Sequence, residues 1–378
     1  MVPFKRILLE PIHQDLQDKM VFLGGPRQCG KTTLARQLIA QNWKNEQERY
    51  LNWDFEPDRI QILKGNLPQN SGLIVFDEIH KYTRWPNLLK GLFDKKRDSY
   101  QFLVTGSARL DLYRRGGDSL QGRYHFHRLH PLTLAELQAP QQSTLDQLFQ
   151  LGGFPEPFFG GSQQKAKRWS KQYQSRTLRE EIPSLERVSE IALIELLAAG
   201  LPELVGSPIS LNALREDLNV SQPTVARWMD ILERLYLIFR VSPFGSPKIR
   251  AVKKEQKHYH FDWTLVSDPG LKFENLIACH MLKYCNFLED SEGENIELRY
   301  FRDTDKREVD FVLVKDKKPW KFIECKMKGK DVSPHLRYLK LKFPEVDSSQ
   351  VCYEENVDFT NSDGIRVISA CKFLADFI

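Results

Sequence analysis

The feature that most constrains the fold of this chain is residues 25–32, which read Gly-Pro-Arg-Gln-Cys-Gly-Lys-Thr. They match the phosphate-binding loop pattern G-x-x-x-x-G-K-[ST]. Gly25 and Gly30 let the backbone turn so that its N–H groups point at phosphate oxygens. Lys31 is placed to reach the β- and γ-phosphates, and the hydroxyl of Thr32 to hold Mg²⁺. A chance glycine turn is the alternative interpretation.

The residues on either side favour a nucleotide site, because a loop of this kind joins a strand to a helix. An apolar run at 20–23 precedes the loop, and Leu34, Leu38 and Ile39 follow it at helical spacing. We therefore predict that ATP binds here together with Mg²⁺. The predicted nucleotide contacts are Gly25, Pro26, Arg27, Gln28, Cys29, Gly30, Lys31, Thr32 and Thr33.

A second motif, residues 71–78, is an apolar run that ends in Asp77-Glu78. Buried parallel strands have this pattern, and ligands bind beyond their carboxyl ends. We predict that Asp77 and Thr32 hold Mg²⁺, and that Glu78 orients and deprotonates the attacking water. An exposed turn after a core strand is the alternative.

A third strand candidate, residues 101–104, ends in Thr105-Gly106-Ser107. A polar side chain at that strand end can contact the γ-phosphate or the attacking water, and Thr105 is the first choice, with Ser107 second. The alternative is a plain exit from strand to turn.

Arg123 is a candidate arginine finger, supplied in trans to the nucleotide of a neighbouring subunit. Its use in trans predicts a homo-oligomer. Arg109, Arg114 and Arg115 compete for this role or form a solvated basic face.

Composition limits the classes of protein that the chain can belong to. A chain of 378 residues exceeds one ordinary core, so we expect several domains. Its 41% hydrophobic and 28% charged content is typical of soluble proteins, and it has no apolar run of membrane-spanning length and no signal-peptide core. The six cysteines form no C-x-x-C pair, which argues against zinc and a disulfide framework and favours the cytoplasm. A net charge of +5 permits an anionic partner without requiring one.

The order of the patterns predicts an α/β fold with a parallel sheet covered by helices. We assign residues 1–140 to this ATPase core and 141–205 to a helical lid or connector. The connector carries a basic run, which is typical of a solvated helix face, with a track for the phosphate backbone as the alternative. The run consists of Lys165, Lys167, Arg168, Lys171, Arg176 and Arg179.

Residues 206–250 have the pattern of a winged helix-turn-helix. Two apolar helical stripes are separated by a tight turn at 219–221, and a strand pattern follows. In a DNA-binding interpretation one face lies in a groove of duplex or branched DNA. That face comprises Gln222, Thr224, Arg227 and Trp228. In the alternative, the module only packs against protein.

The segment 251–378 contains carboxylates at a spacing suited to metal chemistry. Glu324 and Lys326 project from one face of a strand pattern, and Asp310 lies on the neighbouring strand of a predicted hairpin. Such a set can bind Mg²⁺ and position water against a phosphodiester, with Glu274 as a further ligand from a helix. The alternative is an amphipathic hairpin with a charged outer face.

Together these blocks resemble a widespread prokaryotic family of AAA-type P-loop ATPases, whose C-terminal domain has long been labelled as of unknown function. The resemblance is carried by Gly25–Thr33, Asp77–Lys81, Leu103–Ser107, Gly122-Arg123, Pro131-Leu132, Gly152–Pro157, Glu308–Leu313 and Ile323–Lys326. It implies a RecA/AAA-type core, a winged helix and a restriction-endonuclease-like end of the PD-(D/E)xK kind. Asp310, Glu324 and Lys326 match the nuclease motif, and Glu274 matches its helical acid. Cys29 departs from the small aliphatic residue of many relatives, and Val309 stands where the motif name has proline.

Three functional hypotheses follow. The first is a DNA-stimulated ATPase with metal-dependent nuclease activity in DNA processing, repair, recombination or defence. The second is an ATP-driven remodeller of DNA, such as branched DNA, whose nuclease fold does not cut. The third is a nucleotide-gated switch that binds protein partners.

Overall fold

The computed structural model describes residues 6–42, 46–106, 120–137, 141–185, 190–245, 256–329 and 331–377. The chain divides into two compact units, Met1–Pro131 and Leu132–Ile378. The division expected from sequence had four parts, whereas the connector, the winged helix and the carboxylate-bearing segment all lie in the second unit. Within the described ranges, no helix has both the length and the apolar composition needed to cross a membrane.

The first unit is built on a sheet with the strand order β2-β3-β4-β1-β5, in which all neighbours run parallel. Its strands are β1 (Met20–Gly24), β2 (Tyr50–Asn52), β3 (Gly72–Asp77), β4 (Tyr100–Thr105) and β5 (Tyr124–Arg128). Its helices are α1 (Leu9–Asp15), α2 (Lys31–Asn42), α3 (Glu46–Arg49), α4 (Glu56–Lys64) and α5 (Trp85–Lys96), with a 3₁₀ turn at Ile79–Lys81. The α/β fold with a parallel central sheet is therefore confirmed.

Aromatic side chains fill the core beneath the three central strands. Phe22, Phe76 and Phe102 come from β1, β3 and β4, and each is almost fully buried. Trp85 at the start of α5 packs on Phe22 with ring centroids 5.6 Å apart. Such large buried rings contribute strongly to core stability. The carboxyl ends of these strands are thereby held at one edge of the sheet, where the predicted nucleotide residues follow.

The second unit contains a mixed sheet with the order β12-β13-β11-β10-β9-β8-β6-β7. Its strands are β6 (Ile238–Pro243), β7 (Lys257–His260), β8 (Ile296–Arg302), β9 (Glu308–Lys315), β10 (Lys318–Lys326), β11 (Asp347–Cys352), β12 (Asp358–Thr360) and β13 (Arg366–Ser369). Its helices are α6 (Gln142–Leu151), α7 (Pro155–Gly160), α8 (Gln163–Leu185), α9 (Ile191–Gly200), α10 (Leu211–Leu218), α11 (Gln222–Arg234), α12 (Pro269–Glu292), α13 (Pro334–Lys342) and α14 (Ala370–Ala375). Short 3₁₀ turns lie at Leu134–Leu137, Leu201–Leu204 and Trp263–Leu265.

The expected helix-turn-helix is present as α10 and α11. Asn219 ends α10 in the left-handed conformation with a φ of 52°, and the Ser221 hydroxyl caps α11 by accepting a hydrogen bond from the Thr224 N–H. The wing is the hairpin of β6 and β7. Because β6 also pairs in parallel with β8, the wing forms one edge of the large sheet. The motif and the C-terminal sheet therefore form one structural unit, which corrects the boundary at residue 250.

Candidate nucleotide site and C-terminal carboxylate cluster

The predicted phosphate-binding loop joins β1 to α2, as its sequence pattern requires. Gly25 has a φ of +127°, and a Cβ atom at this position would lie 2.2 Å from the carbonyl oxygen of Leu129. Only glycine fits so close to the backbone that follows the neighbouring strand β5. Gln28 and Gly30 also have positive φ values, of 57° and 102°. The curled conformation of the loop thus includes both glycines of the pattern, Gly25 and Gly30.

Lys31, the first residue of α2, is folded back over the loop. Its ammonium group donates hydrogen bonds to the carbonyl oxygens of Gly25, at 2.9 Å, and Pro26, at 2.6 Å. A phosphate oxygen carries a full charge and is a stronger acceptor than these neutral carbonyls. The side chain is therefore held in the loop and placed to exchange its partners for those of a bound nucleotide.

Asp77 ends β3 and interacts with polar groups on two other elements. Its Oδ1 accepts a hydrogen bond of 2.5 Å from the Thr105 hydroxyl, and its Oδ2 accepts one from the hydroxyl of Tyr50. The Tyr50 hydroxyl also lies 3.4 Å from the Thr32 hydroxyl. Thr32 and Asp77 therefore converge, and they offer the hard oxygen ligands that Mg²⁺ prefers.

Tyr50 is a site residue that sequence reasoning missed. Burial, and then the negative charge of Asp77, raise the pKa of Tyr50 above its ordinary value. The phenol therefore stays protonated and acts as a donor to the carboxylate. The sequence around Tyr50 gives only a weak indication of this role, because β2 has only three residues and Tyr50 is its first.

Glu78 adopts the left-handed conformation with a φ of 56°, and its N–H donates to the Thr105 carbonyl at 3.0 Å. Burial, and then the charge of Asp77, raise the pKa of Glu78, while Lys81 and Lys31 partly oppose this shift. The Lys81 ammonium lies 3.4 Å from the carboxylate. A raised pKa makes a carboxylate a better proton acceptor near neutral pH.

The structure restricts the roles that Thr105 and Arg123 can have in ATP hydrolysis. Thr105 is fully buried, and its hydroxyl is engaged by Asp77. Arg123 lies just before β5, and its carbonyl accepts from the N–H of Met20 at the start of β1. The phosphate-binding loop leaves the opposite end of β1, so Arg123 is at the wrong edge of the sheet to act on its own nucleotide. Its guanidinium instead binds the carboxylate of Asp94 at 2.8 and 3.2 Å.

Four further candidates, Ser107, Arg109, Arg114 and Arg115, lie outside the described residues.

The predicted DNA-contacting residues divide into two groups. Gln222 and Arg227 are exposed on α11, and Thr224 is half-buried. Trp228 is fully buried, so its assignment to a DNA groove is wrong. It lies three residues after Val225 and four before Leu232, on the apolar face of the helix.

All six basic side chains of the connector run are exposed on α8, although Arg179 pairs with Glu195 at 2.7 Å.

The structure brings together the carboxylates predicted in the C-terminal segment. The pairing of Phe311 with Ile323 places the next residues, Asp310 and Glu324, opposite each other on β9 and β10. Asp310 accepts a hydrogen bond of 2.8 Å from the Cys325 N–H, and Glu324 accepts one of 2.8 Å from Lys326. Burial, and then the charge of Asp310, raise the pKa of Glu324 to about 7. The same two causes raise the pKa of Glu274 to about 7.

Lys257 is a second residue that sequence reasoning missed. It begins β7, its side chain is fully buried, and its ammonium lies 3.4 Å from Glu274 and 2.6 Å from Glu308. Burial acts to lower the pKa of Lys257, but the charges of Glu274, Asp310 and Glu308 outweigh it and raise the pKa. In the sequence this lysine follows Lys253 and Lys254, which is the pattern of a solvated surface.

Across the described ranges, no three His, Cys, Asp or Glu side chains are arranged to hold a metal ion.

Comparison with known proteins identifies the family to which the first unit is similar. Residues 17–138 match the family model of an AAA domain. Residues 142–269 and 269–373 match two domains of unknown function, DUF8612 and DUF4143. The N-terminal part of the chain is therefore an AAA-type P-loop ATPase domain.

Individual relatives add little about function. The chain is 28% identical to an uncharacterised protein of Mycobacterium tuberculosis, over 67% of this chain and 55% of that protein, so it spans about half the length of this relative. It is 24% identical to an uncharacterised protein of Haemophilus influenzae, over 94% of each. A solved structure of the Thermotoga maritima RuvB Holliday junction branch migration motor aligns at 18% identity, over 62% of this chain and 86% of that one, with a TM-score of 0.27.

Proposed function

We propose that the protein hydrolyses ATP at the loop of residues 25–32 and uses the energy to act on DNA. The observation that carries the first part is the convergence of Thr32 and Asp77 beside the loop, with Glu78 following at the same strand end. Lys31 neutralises the charge that develops on the transferred phosphoryl group, and Glu78 accepts the proton of the attacking water. A bound Mg²⁺ would supply further charge neutralisation, and Thr32 and Asp77 are the residues that would hold it.

The proposed DNA contacts lie in the second unit. Helix α11 presents Gln222 and Arg227 to solvent at its amino-terminal half, which is the part that a recognition helix places in the major groove. The exposed basic side chains of α8 are suited to phosphate contacts, which supply affinity without sequence specificity. The proposed substrate is duplex or branched DNA.

A homo-oligomer follows from the proposed role of Arg123. This residue lies at the edge of the sheet opposite to its own nucleotide loop, so its guanidinium can serve only a nucleotide held by another copy of the chain. Release from Asp94 would free it for that role.

Cleavage of DNA is a second candidate activity, favoured by the convergence of Asp310, Glu324 and Lys326 on neighbouring strands. Such a set can position a metal-bound water against a phosphodiester. The cations already present among these carboxylates weigh against it. A cleavage assay with Mg²⁺ or Mn²⁺ that compares the wild type with Asp310→Ala tests this candidate. Cutting that depends on Asp310 would establish it, and cutting that persists in the variant would exclude this site.

The experiment that tests the main proposal measures ATP hydrolysis at low salt with no DNA, with duplex DNA and with branched DNA. We expect DNA to raise the rate and Arg227→Ala to reduce this stimulation without changing the basal rate. Gln17→Ala, an exposed substitution in the first unit, serves as the control. Absence of both stimulation and binding would eliminate DNA as the substrate and leave the switch that binds protein partners.

A further inference from the structure

We propose that Lys257 is the resident cation of the C-terminal carboxylate cluster, and that Glu274 is its counterion rather than a metal ligand. The cluster consists of Glu274, Glu308, Asp310 and Glu324. The proposal goes beyond ATP hydrolysis and DNA binding, because it concerns how this cluster is neutralised. In this proposal, the positive charge that balances the carboxylates of the nuclease-like segment comes from a lysine of the protein and not from a metal ion.

The Lys257 side chain lies among the carboxylates of the cluster. It is fully buried, and its ammonium reaches carboxylates from two separate elements, Glu274 on α12 at 3.4 Å and Glu308 on β9 at 2.6 Å. The ring of Tyr300 covers another side, with its centroid 5.4 Å from the ammonium. A buried charge is tolerated only when it is paired in this way. Lys257 is therefore held at the point where these two carboxylates meet.

Glu274 has little capacity left for a metal ion. Its Oε1 atom already accepts a hydrogen bond of 2.7 Å from the Tyr259 hydroxyl, in addition to the contact with Lys257. On another side the carboxylate lies close to Gly206, where a Cβ atom would be 3.2 and 3.3 Å from its two oxygens. Mg²⁺ demands an octahedral shell and usually keeps several waters. With the Lys257 ammonium and the Tyr259 hydroxyl in place, Glu274 lacks the room for such a shell.

The other carboxylates of the cluster also have partners that balance their charge. Lys326 binds Glu324 at 2.8 Å, and Arg302 lies 3.6 Å from Glu308. Asp310 accepts a backbone N–H. The two ammonium groups of Lys257 and Lys326 supply the same charge as one divalent ion. The cluster therefore attains the neutralisation that a bound metal would otherwise provide.

The test is a titration of the full chain with Mn²⁺ in the absence of nucleotide. Binding is monitored through the electron paramagnetic resonance signal of free Mn²⁺. We expect wild type and Asp310→Ala to give the same titration, because the wild-type cluster takes up no ion. Lys257→Met removes the ammonium, which leaves Glu274 without this ionic partner and Glu308 with Arg302 alone. The variant should therefore gain a site that binds Mn²⁺ at least tenfold more tightly than the wild-type protein does. This new site should disappear in the double variant Lys257→Met/Asp310→Ala.

Two outcomes would overturn the proposal. One is wild-type Mn²⁺ binding that is weakened by Asp310→Ala or Glu274→Gln. The other is a folded Lys257→Met protein, judged by circular dichroism, that gains no Mn²⁺ site dependent on Asp310. Lys257→Arg keeps the charge and is the matched control, which should give the same Mn²⁺ titration as the wild type. If Lys257→Met does not fold, the comparison of wild type with Asp310→Ala and Glu274→Gln decides the matter alone.

Discussion

The hydroxyl of Tyr50 donates a hydrogen bond to the carboxylate of Asp77 at the end of the central strand β3. The same hydroxyl lies 3.4 Å from Thr32, so one phenol bridges the two residues proposed to hold Mg²⁺. We therefore expect binding of the ion to displace Tyr50 from Asp77. The side chain also packs beneath the guanidinium of Arg36, which is 5.1 Å from the ring centroid.

Tyr50→Phe should lower the Mg²⁺ concentration that gives half-maximal ATP hydrolysis. A hydrogen bond to a charged group contributes on the order of 1.5 kcal/mol, so its removal should shift this midpoint by about tenfold. Tyr82→Phe in the same unit is the control. A midpoint that stays constant or rises would show that Tyr50 does not compete with the ion.

Gly25→Ala should abolish ATP binding, because the new methyl group would lie 2.2 Å from the Leu129 carbonyl oxygen. Gly91→Ala is a matched control within helix α5, where a Cβ atom has no neighbour within 4 Å. The control should keep ATP binding and raise the stability by roughly 0.5–1 kcal/mol, since alanine favours helices over glycine. Binding of a fluorescent ATP analogue and thermal unfolding are the measurements. Normal binding by Gly25→Ala would contradict the described loop conformation.

Trp228→Ala should destabilise the second unit by about 3–5 kcal/mol, because it removes a fully buried ring from the apolar face of α11. Arg227→Ala, at the neighbouring exposed position, should leave stability almost unchanged and weaken DNA binding. Chemical unfolding and DNA binding at several salt concentrations separate the two effects. If Trp228→Ala weakened DNA binding without loss of stability, the buried assignment of Trp228 would be refuted.

These positions also show how far the sequence could predict the structure. The phosphate-binding loop and the strands of the first unit follow local patterns. The helical spacing of Trp228 also places it on one face with Val225 and Leu232, which argues against its assignment to a DNA groove. Lys257 and Tyr50 acquire their roles only through strands and helices distant in the chain. The pairing of β6 with β8 is equally non-local. No local pattern indicates that the wing and the C-terminal sheet form one unit.

Three buried histidines should make the second unit sensitive to acid. Burial lowers the pKa of His258 to about 4, of His260 to about 3 and of His280 to about 4, from an ordinary value of 6.5. His280 is held neutral by its contacts, because Nδ1 donates to Leu276 and Nε2 accepts from the Leu134 N–H. Below pH 6.5 the unfolded chain binds protons that the folded unit does not bind. The stability that these histidines contribute is therefore complete above this pH and is lost as the pH falls towards 4. The raised pKa values of Glu274 and Glu324 act in the opposite direction.

The measurement is the free energy of unfolding of the second unit between pH 7 and pH 4. Each histidine contributes a slope of at most about 1.4 kcal/mol per pH unit. His280→Gln should reduce the slope, whereas His125→Gln in the first unit should not change it. A slope that stays the same in His280→Gln would contradict the neutral state of the His280 side chain.

The central claim is that Glu78 acts as the proton acceptor for ATP hydrolysis at the loop that contains Lys31. Its most direct test compares the steady-state ATP hydrolysis of the wild type with that of Glu78→Gln, together with ATP affinity. We expect Glu78→Gln to keep its affinity for ATP and to lose at least about a hundredfold in turnover, in line with the usual contribution of a general base. Turnover of Glu78→Gln at the wild-type rate, or a wild-type protein that binds ATP without hydrolysing it under any DNA condition, would contradict the claim.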